Sequence, residues 1–382
     1  MDVLLRRIPF ARHGLSSSLF APGSRNMSSS TPSSVGRMAS RRLYRILQRQ
    51  CLDLRKTLPQ HPSGETMFLL QPPLNPLQSG SHRILSVKTA SSEGTTDDGV
   101  RNLLVLFRDW NEDGGEEDAL DWFQLLLVEP QVGSSSTTST TSLYSEFTDE
   151  PTIWTTVSSV QKAIRYAFRH AKLSAANEAQ ERQLLNKYAI RGLKTLMEQS
   201  EMWRLSSVSY EKDIRVVATS KHVGNSHMGS RRLRGSPGLK NRFHYRIRIE
   251  NLSDQITVQL LGRYWHITDI NDEAASTDDD EEMDPMVVDA PNSGAVGQLP
   301  VLRPGDAFEY MSGCELVNPR GEMKGFFFFA PVPENTPSST LNTAVEAFGS
   351  PDRFQVTVNP FPLEAAVAHH DQAAANQRGN QF

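Results

Sequence analysis

The sequence predicts an α+β multidomain chain, with a helical N-terminal module followed by an all-β sandwich. Apolar residues recur at helical spacing near residues 41–59 and again over 156–203, and the period changes to two from about residue 208. Ser-, Thr-, Gly- and Asp-rich connectors separate these regions. At 382 residues there is room for two ordinary domains, although a hydrophobic fraction of 38% is low for a fully globular chain of this length.

The first element is a basic leader. Residues 1–50 carry nine arginines and one acid, Asp2, with apolar residues and serines between them. That is the composition of an organelle transit peptide, so 1–40 is expected to be transit or disordered sequence. Arginine, leucine and phenylalanine dominate the first twenty residues, which favours the mitochondrial matrix; a chloroplast address shares the composition. No apolar run reaches the roughly 18 residues needed to cross a bilayer, so no membrane span is expected. The two cysteines, Cys51 and Cys314, lie far apart and form no C-x-x-C pair, which argues against a disulfide scaffold or a zinc ribbon.

The helical module is expected over 41–205, with a variable insertion around 60–150. Leu43, Ile46, Leu47 and Leu54 recur near helical spacing, and Pro59 and Pro62 stop that helix. Within the insertion, "HRILSVKTA", "NLLVLFRDW" and "ALDWFQLLLVEP" read as two or three strands or short helices, and "GSSSTTSTTS" at 133–142 is a linker. Val157, Val160, Ile164 and Phe168 then form one stripe, with Thr155 or Thr156 as N-cap. Leu185, Tyr188, Gly192 and Leu196 form a second. Together they predict an αα-hairpin over 156–203.

The sandwich is expected over 209–364, in seven or eight strands, with a disordered tail at 365–382. In "FHYRIRIEN", Phe243, Tyr245, Ile247 and Ile249 share one face and His244, Arg246 and Arg248 the other. "ITVQLLGRYWHITD", "AFEYMSG", "KGFFFFAPV" and "FQVTVN" supply further strands, and two of the four phenylalanines at 326–329 must point outward. Residues 269–289 carry ten acids and no Lys or Arg, and the insertion "NDEAASTDDDEEMDPMVVD" within them reads as a solvated loop.

The sandwich motifs, taken in order, are specific. A strand ends in Glu250-Asn251, then come Tyr264-Trp265-x-Ile267-Thr268-Asp269, Gln298 and Pro300, Pro304-Gly305, and Phe308-x-Tyr310-x-Ser312-Gly313-Cys314. This series resembles the ApaG domain family. The resemblance implies an immunoglobulin- or fibronectin III-like sandwich and a protein-binding rather than a catalytic role. The family carries G-x-G-x-x-G ahead of the Gln/Pro pair, whereas Asn292 replaces the first glycine here. The N-terminal helices resemble the LYR-motif family more weakly, through Leu43-Tyr44-Arg45, Phe168-Arg169 and the transit-like leader. That resemblance implies small mitochondrial helical proteins that bind acyl carrier protein, with Leu43, Tyr44, Arg45 and Phe168 as partner-binding residues. The segment of about a hundred residues between the first and second helices departs from the pattern.

The expected function is therefore a non-catalytic mitochondrial adaptor or assembly factor. Its helical part would bind acyl carrier protein and its sandwich a client protein. The alternative is a binder of a phosphate-bearing small molecule or nucleotide, using Asn292, Gly294, Gly297 and nearby Arg303. A phosphate loop normally feeds a helix, and here a Pro-Gly turn and another strand follow instead. No catalytic residue, cofactor or metal site is expected: His222, His227, His244 and His266 lack paired spacing, and no nucleophile elbow is present. The basic run Arg231-Arg232-x-Arg234 lacks interleaved stacking aromatics, which disfavours nucleic acid.

Overall fold

The computed structural model describes residues 32–58, 67–71, 74, 80–86, 153–170, 178–227, 239–270, 284–333 and 352–365. Residues 1–31, the strand candidates after residue 86, the linker at 133–142, the Arg-rich run at 231–234, the acidic stretch 271–283 and the tail from 366 lie outside them.

Helix α1, Pro32–Thr57, begins nine residues before the boundary expected at 41. Pro32 suits a first turn, where the missing N–H leaves nothing unmade. Ser40, expected in the leader, is buried, with its Oγ 3.0 Å from the Gly36 carbonyl and 2.8 Å from Asn186 Oδ1. The stop before Pro59 is where the sequence puts it. Helices α2 (Val157–His170) and α3 (Glu178–Arg204) form over the expected stripes. They are not a hairpin, however, because both pack on α1 rather than on each other. Leu47, Cys51 and Leu54 of α1 fill the space between Val160 and Ile164 of α2 and Leu185, Tyr188 and Leu196 of α3. A helical stripe specifies a buried face without specifying which element covers it.

The insertion contributes one short strand to this core and one to the sandwich. β1 (Met67–Leu70) pairs antiparallel with β3 (Ile153–Thr156), and β3 runs directly into α2. Thr156 caps that helix, its Oγ1 accepting from Ser159 N at 3.1 Å. β2 (His82–Ser86) instead pairs with a sandwich strand, so residues 82–86 leave the helical part and extend the sheet.

The remaining strands are β4 (Ser206–Glu211), β5 (Ile214–His227), β6 (Leu239–Asn251), β7 (Val258–Ile270), β8 (Met286–Ala290), β9 (Val301–Leu302), β10 (Asp306–Leu316), β11 (Arg320–Pro331) and β12 (Phe354–Glu364). They make two antiparallel sheets, ordered β2-β10-β6-β5-β4 and β12-β11-β7-β8, with β9 also on β7. Phe243, Ile247, Trp265, Tyr310, Phe327 and Phe361 fill the space between the sheets. Trp265 meets Phe327 edge-on at 5.3 Å. As expected of the phenylalanine run, Phe327 and Phe329 are buried while Phe326 and Phe328 face out. The outward pair is not bare: Tyr264 stacks on Phe326 at 4.8 Å and the Arg353 guanidinium lies 4.1 Å from the Phe328 ring centre. Along the seam between sheets, β4 side chains occupy the backbone of β12. Ser207 Oγ donates to Asn359 O at 2.7 Å, and Asn359 N donates to Ser209 Oγ at 2.8 Å.

Candidate functional site

The residues singled out on the first helix come together in part. Tyr44 and Phe168, 124 positions apart, meet in a tilted contact with ring centres 5.4 Å apart and 58° between their planes, and Leu43 packs on the helical core beside them. Arg45 points to solvent. At 100° per residue, Met38, Arg42, Arg45, Arg49, Leu52 and Lys56 fall on one outward stripe about 27 Å long. Met38, Ile46 and Leu52 are 58%, 41% and 50% exposed between these bases. Lys56 pairs with Asp53 at 2.7 Å, the single acid on α1. Arg41, Arg42, Arg45, Arg49 and Arg55 have no ion-pair partner among the described residues. This surface has a charge sign, an apolar component and the length of a helix.

The glycine-rich loop is built differently. Ala295 and Gln298 exchange two backbone hydrogen bonds of 2.9 Å across Val296 and Gly297, whose φ values are 46° and 75°. Two positive φ angles in a two-residue connection describe a type I′ turn. Gly294 N donates to Leu261 O at 2.9 Å, and Gly294 O accepts from Arg263 Nη1. A Cβ on Gly294 would sit 1.8 Å from Gln298 O, so this glycine is demanded by a close backbone approach. Asn292 Oδ1 accepts from Arg353 at 3.4 Å. The amides of Gly294, Ala295 and Gln298 thus donate to the protein's own carbonyls rather than converging on a common point. Arg303 stands apart, in an Arg-Pro-Gly-Asp turn whose Gly305 N donates to Asn251 O at 2.9 Å. Its neighbours Val301 and Leu302 pair with Gln259 and Val258, at the start of β7 just ahead of Leu261.

A third cluster was not anticipated. The face of β6 bearing His244, Arg246 and Arg248, expected to be the polar side, is buried. The helical module covers this sheet: Val217 of β5 is part of the helical core, and Val208 of β4 packs against it. Charges on this face are paired both along and across strands. Arg248 Nε donates to Glu250 Oε1 at 2.6 Å, Arg215 also pairs with Glu250, and Arg83 of β2 donates to Glu309 at 2.8 and 3.1 Å. Trp154 of β3 reaches in from the helical side, its Nε1 donating to the two Glu250 oxygens at 3.0 and 3.1 Å. The Arg215 guanidinium lies 3.7 Å from the Trp154 ring centre.

Burial pushes the Glu250 carboxyl upward, but Arg248, Arg215 and the Trp154 N–H outweigh it and hold it below the usual carboxylate range. Glu309 is likewise held low against its burial, by Arg246, Arg83 and Arg248. Burial brings Arg246 down to about 10. No sequence signal marked this cluster, because Arg246-x-Arg248-x-Glu250 is also the pattern of a strand with one solvated face, and the pairing with Glu309 exists only in the folded sheet. Burial also pushes the Cys51 and Cys314 thiols up to about 12, so neither is a thiolate at neutral pH. Among the described residues no three His, Cys, Asp or Glu side chains are grouped to hold a metal, and no helix is long and apolar enough to cross a membrane.

The family model of the ApaG domain matches residues 239–331, from the start of β6 to the end of β11. The chain contains an ApaG domain. Protein ApaG of Sinorhizobium fredii is 41% identical over 104 residues, 27% of this chain and 66% of that protein. Protein ApaG of Beijerinckia indica is 43% identical over 83 residues, 22% of this chain and 53% of that protein. The chain thus spans about two thirds or less of these relatives' own length. Among solved structures, a Bordetella pertussis protein described as ApaA is 27% identical, with 41% of this chain and 96% of that one covered and a TM-score of 0.27. A structural-genomics target is 25% identical over 42% of this chain and 92% of that one, also at a TM-score of 0.27. In this chain β4, β5 and β12 complete the sandwich around the ApaG match, and the helical module packs on its charged sheet.

Proposed function

We propose that the chain is a non-catalytic adaptor whose helical part binds an acidic carrier protein and whose ApaG sandwich docks a client. The observation that carries this reading is the outward face of α1, where arginines without an ion-pair partner among the described residues alternate with exposed Met38, Ile46 and Leu52. Unpaired bases around apolar anchors match an acidic surface that also offers apolar contacts. Acyl carrier protein, the partner implied by the LYR-like residues Leu43, Tyr44, Arg45 and Phe168, has that chemistry. The basic leader supports action in the mitochondrial matrix as an assembly factor.

The test is co-purification of the full chain with acyl carrier protein from mitochondria, followed by a binding titration. Arg45→Glu with Arg49→Glu is expected to weaken binding by at least tenfold and to flatten its salt dependence. Undiminished binding by the doubly reversed chain would reject the assigned surface. Absence of the carrier protein from the purified complex would reject the partner.

A further inference from the structure

Besides the contacts of α3 with β4, β5 and β12, one side chain links the sandwich to the strand that opens α2. Trp154 stands two residues ahead of the Thr156 cap, and its indole N–H is aimed at Glu250, a carboxylate already fixed by Arg215 and Arg248. Those arginines belong to β5 and β6, so Glu250 cannot follow the indole if it moves. From the cap, α2 runs 14 residues, about 21 Å, to the turn carrying Phe168, which rests on Tyr44 beside Arg45. Along that length α2 packs mainly on α1 and on β3 itself.

We propose that Trp154 is a positioning pin through which the ApaG sandwich sets the placement of α2, and thereby the Phe168–Tyr44 contact on α1. A residue that merely filled space would need no donor. The indole instead supplies a hydrogen bond to an ionised group, a strong and directional contact, while Arg215 closes over its ring. Any partner that shifts β5 or β6 therefore moves the start of α2, and the displacement is delivered at Tyr44. The inference does not depend on which molecule α1 binds.

Amide hydrogen exchange on the full chain tests it. Trp154→Phe keeps an aromatic ring and removes the donor. It is expected to lower protection across 157–170 and around 43–46 on the order of tenfold, leaving β6, β7, β10 and β11 unchanged. Phe168→Leu, at the far end, is expected to lower protection around Tyr44 while sparing 157–160. Unchanged protection over α2 in Trp154→Phe overturns the proposal, and so does a loss spread evenly over both modules, which is the signature of packing alone. Should that variant fail to fold, the unsubstituted chain still decides. Its Trp154 indole proton is expected to exchange in step with the α2 amides, and exchange many-fold faster than theirs overturns the pin.

Discussion

Two arginine-rich surfaces look alike in the sequence and behave as opposites in the fold. On α1, Arg41, Arg42, Arg45 and Arg49 stand in solvent. On β6, Arg246 and Arg248 are buried under the helical module with Glu250 and Glu309 beside them. Water solvates the first set, so its charges cost the fold little and remain available to a partner. The second set has given up its water, so its charges must be matched within the chain. A count of basic residues therefore does not distinguish a docking surface from an internal joint.

This contrast can be broken from its strongest side first. Glu250→Ala leaves Arg215 and Arg248 buried without their carboxylate and is expected to cost about 3–5 kcal/mol in urea denaturation. A loss below about 1 kcal/mol would mean that water reaches this face. Leu54→Ala, at the centre of the helical core, is expected to cost about 2–5 kcal/mol by the same measurement.

Acid should act on the joint and spare the surface. Glu250 and Glu309 have folded-state pKa values held below those of the unfolded chain. Their stabilisation is present above the unfolded carboxylate value of about 4.3 and is lost as pH falls through the folded values. Unfolding midpoints followed from pH 7 to pH 3 are expected to be flat at first and then to fall. The fall should be shallower in Glu309→Gln than in the unsubstituted chain, and parallel profiles would place the acid sensitivity elsewhere.

Smaller effects sharpen the comparison. Lys212 and Asp213 join β4 to β5 with φ values of 50° and 58°, a two-residue connection of the type that favours Asn-Gly. Asp213→Gly is expected to stabilise by about 0.5 kcal/mol, read as a rise in the thermal midpoint. Arg45→Ala is expected to change stability by less than about 0.5 kcal/mol, because that guanidinium is exposed and pairs with none of the described residues. A larger loss there would make α1's outer face structural rather than free.

Much of this architecture was legible residue by residue. The period of two across "FHYRIRIEN", "AFEYMSG" and "FQVTVN" marked strands, because alternate side chains of a strand must share a face. Val157, Val160 and Ile164 marked a helix for the equivalent reason at 3.6 residues per turn. The motif series from Glu250-Asn251 to Cys314 identified the ApaG domain. What periodicity cannot express is which element lies opposite a face. The insertion of α1 between α2 and α3, the recruitment of residues 82–86 by β10, and the burial of Arg246, Arg248 and Glu250 beneath a helical module all depend on contacts between residues distant in the chain. Local sequence determined the elements and their faces. Tertiary packing alone decided which of two basic faces would be paired and closed and which would be left to bind, because desolvation is a property of the whole neighbourhood and not of the residue.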